Sequence, residues 1–298
     1  MQFETVGVVG CGLMGHGIAQ VAAAAGQKRV VVVESDAAAL ERGVQRIEQS
    51  LGKLAQKAVE KGAMDPDSAR THVADSMARI TPSLARKDLA ACDLVVEAIV
   101  EDLQAKCALW RDLHAVCPPR TVFASNTSSF PIAAMAGSSG RPERTIGLHF
   151  FNPVQLMGLV EVVRTPDTAP EVHAAALAFA RACGKEPVTC ADTPGFIVNR
   201  LLVPYLVQAL LMFERGDASK EDIDTAMRLG CGHPMGPITL ADYVGLDTTL
   251  SILEGWCQRH PQEPAFVVPA SLRAKVQDGK LGRKTGEGFY RWEGDKRQ

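Results

Sequence analysis

Aromatic side chains are scarce, at 5% of 298 residues, and neither sign of charge dominates: 32 Lys and Arg face 34 Asp and Glu, for a net charge of -2. A cationic surface with stacking aromatics is missing, so nucleic acid is not an expected partner. The eight cysteines form no C-x-x-C and no Cys/His group with zinc spacing, which excludes a disulfide framework and predicts no metal site. A charged leader followed by an apolar core is also missing, because Val6 to Gly10 already has the pattern of a first strand. A cytoplasmic location is therefore expected. The longest apolar run, Leu201 to Phe213, contains Pro204 and Gln208 and falls short of the ~20 residues that span a bilayer. What is present is ordinary for a folded protein: 46% hydrophobic and 22% charged residues. At roughly 100 to 200 residues per domain, the length predicts two domains.

Apolar runs alternate with helical patterns through the first half, with strands near Val6 to Gly10, Val30 to Glu34, Leu94 to Ala98, Thr121 to Ser125 and Thr145 to Phe150. Alternation of this kind predicts a parallel α/β sheet. After about residue 190 the runs become helical in period, punctuated by Pro194-Gly195 and Pro234-Met235-Gly236-Pro237. The expected fold is α/β: a mostly parallel sheet domain over residues 1–190 with a helical hairpin insertion, then a mostly helical domain over 191–298. Within the insertion, Leu40, Val44, Ile47, Leu51, Leu54 and Ala58 recur at steps of four and three as one apolar stripe. Arg46, Ser50, Lys53 and Lys57 follow the same steps. Taken as offset by two residues, about 200° at ~100° per residue, they are expected to share the opposite face.

Gly10-Cys11-Gly12-Leu13-Met14-Gly15 matches G-x-G-x-x-G after a strand and at the opening of a helix. The first glycine suits a tight turn, the second lets the backbone approach a pyrophosphate, and the third lets helix and strand pack closely. Helix N–H groups would face the anion. Glu34 ends the second strand 19 residues beyond Gly15; its carboxylate suits a ribose diol and repels a 2′-phosphate, so NAD is expected over NADP. His16, in the first helical turn, either sees the phosphate or is merely exposed.

Ser125-Asn126-Thr127-Ser128-Ser129 gathers polar groups at the carboxyl end of a strand, where open α/β sheets place ligands. The same cluster also suits a turn that hydrogen-bonds its own backbone. More specific is the pair His149 and Glu161. If their strands form an antiparallel hairpin, the midpoint between them is 155, inside the punctuated Asn152 to Gly158 loop. The register then sets the two residues opposite one another, at a Cα separation of ~4.5 to 5.5 Å. A carboxylate there would orient the imidazole for the proton transfer that accompanies hydride transfer at a carbinol.

These residues resemble the short-chain L-3-hydroxyacyl-CoA dehydrogenases, which include the 3-hydroxybutyryl-CoA dehydrogenases. The likeness runs through Gly10 to Ala25, Val96 to Glu101, Ser125 to Ser129, His149 to Pro153, Asp192 to Arg200, His233 to Pro237, Asp242 to Asp247 and Gly282 to Tyr290. It implies a Rossmann-type, mostly parallel N-terminal domain followed by an all-helical C-terminal domain that forms a homodimer, and NAD-linked interconversion of 3-hydroxyacyl-CoA and 3-ketoacyl-CoA with an acyl-CoA substrate. The family's catalytic pair falls on His149 and Glu161, and its substrate-polarising groups on Ser128 and Asn199. Cofactor contacts fall on the glycine loop with Leu13 and Met14, and on Glu34, Glu101, Lys106, Ser128 and Asn152. Lys106 has otherwise the look of a plain helix-surface lysine. CoA contacts fall on Ser50 and Lys57, members of the basic stripe that also holds Lys53. The chain departs from the family at Glu34, where Asp is frequent, and at His16, where a small residue is common. With no crotonase-like part, it resembles the monofunctional enzymes.

Two rivals remain open: a sugar-acid dehydrogenase like the gulonate 3-dehydrogenases and λ-crystallins, and an NAD-binding protein without turnover. Against the first stand His149 to Pro153, the basic stripe and the Gly282 to Tyr290 segment; against the second stands the intact set Ser128, His149, Glu161 and Asn199.

Overall fold

Val6 to Val9, Val30 to Val33 and Leu94 to Val96 are almost wholly apolar and rich in β-branched residues, which suits strands covered on both faces by helices. The structure, a computed structural model describing residues 1–298, divides into two units, Met1–Phe196 and Ile197–Gln298.

In chain order the first unit runs β1 (Thr5–Val9), α1 (Gly15–Ala24), β2 (Arg29–Val33), α2 (Ala37–Glu60), α3 (Pro66–Ala78), β3 (Ile80–Ser83), β4 (Leu94–Glu97), α4 (Leu103–Val116), β5 (Val122–Ser125), α5 (Ile132–Ala136), β6 (Thr145–Phe150), β7 (Leu159–Arg164), α6 (Pro170–Ala182) and β8 (Glu186–Ala191). The strands form one sheet in the order β3-β2-β1-β4-β5-β6-β7-β8. All neighbours are parallel except β6 and β7, which form an antiparallel hairpin. Chain order reverses between β1 and β4, so a crevice opens beyond their carboxyl ends, the place where doubly wound sheets take nucleotides.

Helix α2 begins where Asp36 Oδ1 accepts the Ala39 N–H at 2.6 Å, a side-chain N-cap. Its stripe packs as expected, with Leu40, Ile47 and Leu51 buried. The placement of the basic residues needs correction. Arg46, Ser50, Lys53 and Lys57 stand one position before Ile47, Leu51, Leu54 and Ala58, so they lie ~100° from the stripe. They form its flank, which is why Ser50 is half-buried while Arg46, Lys53 and Lys57 are exposed.

The second unit contains α7 (Val198–Glu214), α8 (Lys220–Cys231), α9 (Pro237–Val244), α10 (Leu246–Arg259), α11 (Ala270–Gln277) and a short antiparallel ladder of β9 (Trp292–Glu293) with β10 (Lys296–Arg297). It is helical apart from that ladder. Its core gathers Val203, Leu206, Val207 and Leu210 of α7 with Leu253, Trp256 and Phe289. Asp242, fully buried, accepts the N–H groups of Phe289 and Tyr290 at 2.8 Å and Trp292 Nε1 at 3.0 Å. A Cβ at Gly288 would sit 2.2 Å from Asp242 Oδ1, so within this unit the glycine-rich tail motif serves the docking of the tail on α9. No helix of the chain is long and apolar enough to cross a membrane.

Candidate active site

The glycine loop joins β1 to α1 at the crevice, and each glycine has its own reason to be there. Gly10 has φ +94°, and a Cβ on it would lie 2.5 Å from the Ala98 carbonyl oxygen. A Cβ on Gly15 would lie 1.8 Å from the Gly10 carbonyl oxygen, whereas one on Gly12 would meet nothing within 4 Å. The first and third glycines are thus required by packing, and the second faces open space into which a pyrophosphate fits. Leu13 is exposed and Met14 caps α1; the helix's first turn presents N–H groups to an anion. His16 is half-buried, with Nδ1 2.7 Å from the Gly12 carbonyl oxygen. That oxygen only accepts, so the ring is engaged within the loop through a protonated Nδ1.

Beside Gly10 a cavity of about 460 Å³ is lined by Glu34, Ser35, Leu84, Arg86 and Ile99 among others. Glu34 Oε2 accepts the Cys11 N–H at 2.9 Å, and Oε1 accepts the Ser35 N–H at 2.7 Å. Burial pushes its pKa up, but these backbone donors outweigh it and hold the carboxyl below its ordinary range. An ionised acceptor at the edge of a nucleoside-sized cavity suits a ribose diol. Arg86, on the same cavity, is engaged by Asp112.

Lys106 is only 1% exposed, so it is not the surface lysine its sequence context suggests. Its Nζ lies 2.7 Å from Glu97 Oε1 and 3.0 Å from Glu101 Oε2. Glu97 is fully buried at the end of β4 and also accepts the Ile99 N–H at 2.8 Å and Ser125 Oγ at 2.6 Å. Glu101 takes the Thr127 hydroxyl and the Ser129 N–H. Its burial raises the pKa, yet the Lys106 ammonium, followed by these hydrogen bonds, brings it below the ordinary carboxylate range. Sequence reasoning gave Glu97 no role. The available signal was a carboxylate closing an otherwise apolar strand with a lysine nine residues on, since a buried acid needs a partner. Ser125→Ala should lower stability by about 1.5–3 kcal/mol, the worth of a hydrogen bond to a charged group. A urea midpoint unchanged by that substitution would remove Ser125 from the network.

The hairpin places His149 opposite Glu161 in the β6–β7 register. His149 Nδ1 lies 2.6 Å from Glu161 Oε2, with His149 6% exposed and Glu161 fully buried. An ionised carboxylate can only accept, so the hydrogen sits on Nδ1 and Nε2 is left without one. Phe151 and Phe196 flank the imidazole at ring-centroid separations of 4.5 and 5.5 Å. One residue on, the Phe150 N–H donates to Asn126 Oδ1 at 2.8 Å, which ties the strand to the turn after β5. Ser128 is half-buried on that turn, and Asn152 is exposed at the mouth of the β6–β7 loop. Ser50, Lys53 and Lys57 lie on the flank of α2, and Asn199 lies in the first turn of α7 in the second unit. The site thus offers an imidazole with a defined proton position and an anion-binding loop at the same sheet edge.

A family model described as the NAD-binding domain of 3-hydroxyacyl-CoA dehydrogenase matches residues 5–193, and one described as that enzyme's C-terminal domain matches residues 195–292. The mitochondrial hydroxyacyl-coenzyme A dehydrogenase of Sus scrofa is 50% identical over 288 residues, covering 96% of this chain and 90% of its own. A probable 3-hydroxybutyryl-CoA dehydrogenase of Deinococcus radiodurans is 46% identical over 286 residues, covering 96% and 99%. Among solved structures, the (S)-3-hydroxybutyryl-CoA dehydrogenase of Ralstonia eutropha superposes with a TM-score of 0.91 at 39% identity, covering 98% of this chain and all of that one.

Proposed function

Since the chain belongs to the 3-hydroxyacyl-CoA dehydrogenase family and is an NAD-dependent enzyme of that type, we propose that it interconverts (S)-3-hydroxyacyl-CoA and 3-ketoacyl-CoA with His149 and Glu161 as the proton-transfer pair. The observation that carries this reading is the 2.6 Å contact between His149 Nδ1 and Glu161 Oε2 in a buried hairpin register. Bound NAD supplies the hydride acceptor in the oxidative direction. His149 Nε2 takes the proton of the 3-hydroxyl as C3 loses hydride, and in the reductive direction returns it to the 3-oxygen. Glu161 holds the ring in the tautomer that leaves Nε2 free and stabilises the imidazolium formed at that moment. Glycines 10, 12 and 15 bind the pyrophosphate, with Leu13 and Met14 contributing loop backbone, and Glu34 takes the adenosine ribose. Glu101, Asn152 and Ser128 are assigned to the remaining cofactor surface.

Lys106 acts there through Glu101, because its ammonium is enclosed by two carboxylates. Ser128 is proposed to donate to the substrate's 3-oxygen, and a role as substrate donor is proposed for Asn199. Ser50, Lys53 and Lys57 are assigned to CoA, whose phosphates a lysine neutralises as a point charge. The proposal includes a role in fatty-acid or related acyl-CoA metabolism. It also includes a homodimer through the second unit, where Leu201, Leu229, Tyr243 and Val244 are exposed.

The test is NADH consumption with acetoacetyl-CoA, beside NADPH and beside free acetoacetate. Turnover with NADH and the thioester alone is expected. Turnover of the free acid would favour the sugar-acid reading, and tight NADH binding without turnover of thioesters of any chain length would favour a non-catalytic binder.

A further inference from the structure

We propose that Lys185 is a positioning residue for the acid/base pair, its buried ammonium pinning the loop that joins the strands of His149 and Glu161. The inference rests on the reading of those two residues as the proton-transfer pair. Lys185 stands just before β8 and is 8% exposed. Its Nζ donates to the carbonyl oxygens of Val154 at 2.6 Å and Met157 at 2.9 Å, and no carboxylate lies within ion-pair distance. Burial without a counter-charge disfavours an ammonium, and its pKa is lowered accordingly. A methionine of similar length would fill the same space without that cost. What only the ammonium supplies is donors for two carbonyls of this loop.

The rest of the loop is held by other groups. Its Pro153 carbonyl oxygen accepts the N–H groups of Leu156 and Met157, and its Gly158 carbonyl oxygen accepts the Glu186 N–H at 2.6 Å. On its other side the loop rests on the cofactor helix: a Cβ at Gly17 would lie 2.7 Å from Val154 Cβ, and Gln155 Nε2 donates to Gln20 Oε1 at 3.0 Å. The loop is thus fixed between α1 and the start of β8, with Lys185 the only charged contact. A turn held this way keeps the joined ends of β6 and β7 at one spacing, and that spacing sets the angle at which Glu161 meets His149. Releasing it displaces the imidazole without touching substrate, and a displacement of roughly 1 Å at a reacting group can cost about 100-fold in rate.

A cavity of about 370 Å³ lies beside Lys185, lined also by Gln20, His72, Gln155 and Cys183, which gives small solutes a route to the place its side chain would vacate. The experiment compares Lys185→Met and Lys185→Ala with the wild-type chain and with His149→Gln, measuring kcat with acetoacetyl-CoA, the NADH Kd, and Tm. Both Lys185 variants are expected to lose about 10- to 100-fold in kcat, with the NADH Kd within about twofold, because the glycine loop is untouched. Added propylammonium should restore kcat to Lys185→Ala, while tetramethylammonium at equal ionic strength, lacking N–H donors, should not. Rescue by the primary amine is the response that a merely stabilising lysine would not give. The proposal is overturned if kcat survives in Lys185→Met, or if kcat falls only in step with Tm and neither amine restores it. Turnover retained in His149→Gln would instead overturn the acid/base reading itself, and this inference with it.

Discussion

His149→Gln is expected to lower kcat by about 10²- to 10⁴-fold, the range contributed by a positioned proton-transfer group, while the NADH Kd stays within about twofold. Glutamine keeps a polar side chain of similar reach, and its amide can donate to Glu161 as Nδ1–H does. It therefore avoids leaving a buried carboxylate unpaired, which would confound the result by costing several kcal/mol of stability. What it lacks is a ring nitrogen that can take up and return a proton. The cofactor loop is on β1 and α1, whereas His149 is on β6, so a kinetic defect without a binding defect is the signature of a missing acid/base. Steady-state turnover and a fluorescence titration with NADH check it. Equal losses in both would place the base elsewhere.

That pair was legible before any coordinates because a hairpin obeys arithmetic. Two strands with a punctuated loop between them fix a midpoint, and period-2 side-chain alternation then determines which residues face each other. The glycine loop was legible for a similar reason, since its first and third glycines answer local steric demands that their spacing encodes. Two strands of the large sheet that the sequence pattern does not reveal, β3 and β8, have a common cause. Both are edge strands, and both carry a proline, Pro82 and Pro187. Edges tolerate proline because a missing N–H there breaks no ladder, and the same proline erases the pattern by which a strand is recognised. The flank of α2 was misplaced because the stripe steps irregularly by four and three, so an offset counted from Val44 gives two residues and one counted from Ile47 gives one less than zero.

Buried charges whose partners lie on other elements were the least legible. Lys106 looks like any exposed helix lysine until β4 supplies Glu97 beneath it, and Lys185 acquires meaning only when the β6–β7 loop turns two carbonyls toward it. For Lys106 the carboxylate closing β4 was the one signal in the sequence, and for Lys185 nothing in spacing or composition marks its two carbonyls. Asn126 belongs with them: its side chain carries the β5–β6 connection one step past Ser125, the last residue of β5, by accepting the Phe150 N–H. The residues proposed for the chemistry at this sheet edge were therefore readable in the sequence, and the scaffolding around them was not.

Two alanine substitutions in the glycine loop should fail in opposite ways. In Gly15→Ala the new methyl would stand 1.8 Å from the Gly10 carbonyl oxygen. Both atoms belong to backbone held in the β1–α1 turn, so no side chain can swing aside. A loss of at least about 3 kcal/mol is expected, the upper end of overpacking costs, together with loss of NADH binding. In Gly12→Ala the methyl meets nothing within 4 Å, and the chain should keep its stability within about 0.5 kcal/mol, as for a substitution that touches no packed group. The open space it enters is the one the pyrophosphate would fill, so the NADH Kd should rise by at least about tenfold, a cost of about 1.4 kcal/mol, with Tm unchanged. Thermal unfolding beside NADH titration separates the two effects. A stable Gly12→Ala that binds NADH like the wild type would mean that the pyrophosphate does not approach at Gly12. A Gly15→Ala of normal stability would mean that β1 and α1 need not pack as closely as the 1.8 Å clearance requires. The contrast between the pair is the informative quantity, because it separates a glycine kept for the fold from a glycine kept for the ligand.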